Sequence, residues 1–77
     1  MVIYQINCTG NTHCETVQRC LFANGYKWAL LGQEIREVEN LKIFVNPATK
    51  QMRVVPICWM EECYGIEEIT LSQLLHL

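Results

Sequence analysis

One short segment, "NTHCETVQRCLFANGYKW" at residues 11–28, constrains the fold more than any other. Cys14, Val17 and Leu21, with Cys20 nearby, recur at helical spacing and make one apolar stripe. Thr12 has the right side chain for an N-cap, and Glu15 three residues on would complete a capping box. Gln18 and Arg19 then fall on the solvated side. Asn24-Gly25 is a stop signal, with Gly25 suited to the left-handed position after the last turn. A helix with one apolar stripe must bury it against another layer.

That layer is written on both sides of the helix. Residues 2–7, "VIYQIN", are β-branched and aromatic, with Val2, Tyr4 and Ile6 on one face. Residues 26–31, "YKWALL", alternate Tyr26, Trp28 and Leu30 until Gly32 breaks the pattern. Residues 33–40 are polar and read as a loop or an irregular strand. Residues 41–46 and 51–58 read as two strands joined by a turn at 47–50, and Pro56 puts the second near an edge or an end. Residues 59–65 read as a loop, and 66–69 as a short extension of the sheet. Thr70 or Ser72 would cap a brief C-terminal helix. The expected fold is α+β, a single domain over residues 1–77. A small mixed or antiparallel sheet, in the order β-α-β-β-β plus the short helix, carries the main helix on one face.

Size and charge limit what such a domain can do. A chain of 77 residues buries roughly 60% of its unfolded surface, so its stability is modest unless a second copy covers an apolar face. The net charge of −2 is too near zero to predict binding to nucleic acid or a membrane. Its distribution says more. All eight acidic residues are glutamates, and residues 61–77 carry Glu61, Glu62, Glu67 and Glu68 with no lysine or arginine. That quarter of the chain is either a solvated acidic surface or the complement of a basic partner. "MVIYQIN" lacks the basic start and apolar run of a secretory signal, and no apolar run approaches membrane-spanning length. Five cysteines without a signal fit a reducing cytosol.

The chemistry-bearing residues do not assemble into an obvious site. Cys8, His13, Cys14, Cys20, Cys58 and Cys63 are soft donors, but only Cys58 and Cys63 approach ligand spacing. Cys14 and Cys20 are separated by about 600° of helical rotation and point well away from each other, so buried packing is the expected role of these thiols. His13 and Cys14 are neighbours that diverge by about 100°, which rules against a nucleophile–base pair. No metal or cofactor is expected, and no enzyme. Tyr26, Trp28 and Phe44 could stack bases only beside a basic groove, for which Lys27, Lys42 and Arg53 are thin support.

The remaining feature is "PICWMEECYG", which sets Trp59, Met60 and Tyr64 beside Glu61 and Glu62. Large apolar residues in a loop either lid the core or meet a partner. The pieces Val17-Gln18, Leu21-Phe22, Gly25-Tyr26, Trp28 and Glu68-Ile69-Thr70 with Leu74-Leu75 span most of the chain. Together they resemble a diffuse set of small bacteriophage accessory proteins with the pattern "VQ..LF..GY.W … EIT…LL". "CWMEEC" departs from that pattern. The resemblance implies a viral product in the host cytoplasm that binds and blocks a host protein, such as a defence nuclease or its complex, in the manner of an anti-CRISPR inhibitor. The expected contact residues are Trp59, Met60, Glu61, Glu62, Tyr64, Glu67 and Glu68. The alternatives are an oligomeric sponge for a small nucleotide signal, with Lys27, Trp28 or Arg53 converging between copies, or a minor zinc- or nucleic-acid-binding module.

Overall fold

The computed structural model describes residues 2–29, 31–55 and 65–77. Its elements are β1 (Val2–Asn7), α1 (Asn11–Ala23), β2 (Lys27–Trp28), β3 (Lys42–Asn46), β4 (Gln51–Arg53), β5 (Gly65–Glu68) and α2 (Leu71–Leu75). The five strands form one mixed sheet in the order β2-β4-β3-β1-β5. β1 runs antiparallel to β3 and parallel to β5, β3 antiparallel to β4, and β2 parallel to β4. The expected α+β class, with one main helix after the first strand and a short C-terminal helix, is what the chain adopts.

The register explains the core. Tyr4 lies opposite Val45, Ile6 opposite Ile43, and Val45 opposite Met52, so these side chains share one face. Ile6, Ile43, Val45 and Met52 cluster with Val17 and Leu21 from α1, with Tyr26, Trp28 and Val38, and with Leu74 from α2. Ile3 and Phe44 occupy the alternate positions and are buried apart from that cluster. β3 is the middle strand, and its last four residues are all buried. A strand covered on both faces reads as a continuous apolar run.

α1 differs from its expected start and matches its expected stop. Gly10, not Thr12, is the N-cap, and no side chain caps the first turn. Thr12 instead offers its carbonyl to the Thr16 hydroxyl at 3.1 Å, and Glu15 pairs with Arg19 at 2.7 Å. The stop is a Schellman arrangement. Tyr26 N–H donates to Leu21 O and Gly25 N–H to Phe22 O, both at 3.0 Å, with Gly25 at φ 88°. Leu21 and Tyr26, which flank that turn, are both buried.

The second strand is shorter than its alternation implies. Trp28 and Gly32 exchange backbone hydrogen bonds of 2.7 and 3.1 Å, which turns the chain back on itself. Gly32 makes the reversal at φ 65°, a conformation that costs glycine little. Residues 34–38 have no regular structure, yet Val38 is buried. Among the described residues, no helix is long and apolar enough to cross a membrane.

Candidate functional site

The irregular segment is held by one glutamine that the helical periodicity assigned to solvent. Gln18 is 1% exposed. Its Nε2 donates to Arg36 O at 2.7 Å, and its Oε1 accepts from Arg36 N–H at 2.9 Å. One side-chain amide therefore satisfies both backbone groups of Arg36, as a neighbouring strand would. The Arg36 guanidinium lies 5.2 Å from the Trp28 ring centre, and the Lys50 ammonium 4.6 Å from that of Tyr26. Trp28 and Tyr26 are buried, so neither offers an open ring for a base.

Among the described residues, the Cys8 and Cys14 thiols adjoin each other, and His13 is engaged elsewhere. Cys8 and Cys14 are buried and unoxidised in the core, while Cys20 is half-buried. Burial, then the adjoining Cys14 thiol, push the Cys8 pKa up to about 12. Such a thiol is a space-filler, not a nucleophile. The His13 Nδ1 accepts from the Thr9 backbone N–H at 2.9 Å. Among the described residues, no three metal-ligating side chains come together.

What the fold does assemble is an end of the sheet. β1 and β5 are parallel neighbours, so their carboxyl ends lie side by side. A groove of about 610 Å³ opens there, lined by Asn7, His13, Glu68 and Thr70, with Ile69 and Leu71 as apolar floor. Crevices at the carboxyl ends of parallel strands are common ligand positions. α2 closes one side through a capping box. Thr70 Oγ1 accepts from Gln73 N–H at 3.1 Å, and Gln73 Oε1 accepts from Thr70 N–H at 2.9 Å. Across the sheet face, Gln5 Nε2 donates to Asn7 Oδ1 at 2.7 Å, and Asn7 Nδ2 donates to Glu68 Oε1 at 2.6 Å. That relay fixes the Glu68 carboxylate.

Of the residues expected to meet a partner, Glu67 and Glu68 lie on β5, exposed at the rim of the sheet. Trp59, Met60, Glu61, Glu62 and Tyr64 lie outside the described residues. The sheet is also polarised. Lys27, Lys42 and Arg53 sit on β2, β3 and β4, whereas β1 and β5 carry no lysine or arginine. No basic side chain is within ion-pair distance of Glu67 or Glu68 among the described residues. Sequence reasoning had singled out these two glutamates by local charge. It missed Asn7 and Thr70, whose roles depend on β1 and β5 pairing in parallel.

Comparison with protein-family models, with curated proteins and with solved structures finds no match to this chain.

Proposed function

We propose that this protein acts by stoichiometric binding to another protein, as an accessory inhibitor of a host protein would, and that the β5 end of the sheet is part of its contact surface. The observation that carries this reading is the exposure of all four β5 residues, with Ile66 at 49% and the Glu67–Glu68 pair beside it. An apolar side chain next to unneutralised carboxylates supplies contact area and electrostatic steering toward a basic partner. The buried thiols and the orientation of His13 favour binding over catalysis. The burial of Trp28 weighs against a nucleotide sponge built on it. Phage origin, residence in the host cytoplasm and a defence nuclease as target rest on the sequence resemblance alone.

The test is capture of host proteins by the wild type and by a Glu67→Lys, Glu68→Lys double variant. Reversal should reduce recovery of the bound partner by about tenfold at low salt, and the difference from the wild type should narrow as salt rises. Equal recovery by both proteins would remove the β5 end from the contact surface. A parallel Glu61→Lys, Glu62→Lys variant tests the other half of the acidic segment.

A further inference from the structure

β5 is an outer strand with only β1 beside it among the described residues. Its backbone parity can be read from one hydrogen bond. Ile69 N–H donates to Gln5 O at 3.0 Å, toward β1. Backbone groups alternate sides along a strand, so Glu67 also faces β1, and the N–H and C=O of Ile66 and Glu68 face outward. The side chains alternate with the same period of two. Ile66 and Glu68 pair with Ile3 and Gln5 on one sheet face, and Glu67 pairs with Tyr4 on the face that carries α1.

The geometry points to strand addition: the outer edge of β5 accepts an extended segment of another protein that carries two consecutive basic residues beside a β-branched one. This rests on the protein-binding reading above and gives it a mode. Outward N–H and C=O groups on Ile66 and Glu68 supply the ladder. Consecutive glutamates point to opposite faces, so a strand laid along β5 meets one carboxylate on each face, and two adjacent basic residues answer both. Ile66 meets the β-branched residue. The Asn7 bond holds Glu68 ready for its partner without neutralising it.

A second copy is the competing occupant, and the charges oppose it. Two β5 edges paired about a two-fold axis would bring four glutamates together, and like charges opposite one another destabilise a ladder. The basic edge of the same sheet, β2, is only two residues long. Charged edge residues are a known guard against self-pairing, and here they leave the edge open to a strand of opposite sign.

The probe is an end-blocked peptide, threonine-valine-lysine-lysine-valine-threonine, whose palindromic order presents one register in either direction. On titration into the intact protein, the Ile66 and Glu68 amides should become protected from hydrogen exchange while the amides facing β1 change little. The same peptide with glutamates for lysines should not bind. Ile66→Pro removes an outward N–H and spares the β1 ladder, since proline is tolerated on edges. It should weaken the peptide about tenfold or more, as loss of backbone hydrogen bonds implies. The double Lys variant at 67 and 68 should exchange preference and take the glutamate peptide, which keeps the test sound should Ile66→Pro fold poorly. Peptide binding without protection of Ile66 and Glu68, no binding at all, or self-association through β5 in sedimentation would each overturn strand addition. Should host-protein capture fall on charge reversal yet survive Ile66→Pro, strand addition fails and the protein-binding reading stands. Should the peptide add as described while charge reversal leaves host-protein capture unchanged, strand addition stands and the β5 end is removed from the host-protein contact surface.

Discussion

At the scale of the residue, two buried groups decide how the core is finished. Gln18 replaces a missing strand for Arg36, so Gln18→Ala would leave a backbone N–H and a C=O without partners. The expected loss is about 1–3 kcal/mol, read from denaturant unfolding, with the largest amide-exchange change at Arg36. Cys8 works through its proton. Its folded pKa lies above the ordinary value of 9.0, near 12, because burial and then Cys14 disfavour the thiolate. The unfolded chain therefore releases this proton first as pH rises. Stability is unaffected by this group below about pH 9 and falls between about 9 and 12. Tyr26, whose pKa burial also raises, adds to the same loss at the upper end of that window. Cys8→Ala should flatten the alkaline decline in the unfolding midpoint; an unchanged decline would assign it to Tyr26 or elsewhere.

At the scale of the element, the caps separate what local sequence controls from what packing controls. The Schellman stop of α1 and the Thr70 capping box of α2 are local devices, formed where Asn24-Gly25 and the Thr70 position announced them. The expected box at Thr12 and Glu15 does not form, because α1 starts from Gly10 and Glu15 goes to Arg19. A helix of five residues depends strongly on its cap. Thr70→Ala should cost about 1 kcal/mol, and Thr70→Ser should restore most of it. Because α2 brings Leu74 into the core, the loss should appear in global unfolding as well as in exchange at Gln73. A loss confined to fraying of residues 71–75 would show that Leu74 packs without help from its cap.

At the scale of the whole molecule, the sheet order turns a chain-end charge bias into a spatial one. β1, first in the chain, is flanked by β3 and β5, so Glu67 and Glu68 finish on the edge away from Lys27 and Arg53. The α+β class was legible because helical periodicity at Cys14, Val17 and Leu21 sits between β-type segments. The glutamates of the candidate site were legible as charge. Three things were not legible. Gln18 looked solvated because its helix position says nothing about residues 33–40, which fold over it. β2 looked six residues long because alternation does not reveal the hairpin that Gly32 closes. The groove at Asn7 and Thr70 exists only once β5 lies parallel to β1. By itself, then, the sequence determined the helix, its stop, the short capped helix and the acid-rich end, since each depends on contacts within a few residues. Tertiary structure decided the strand order, the burial of Gln18 and the outward-facing edge at Ile66 and Glu68, since each depends on pairing between segments far apart in the chain.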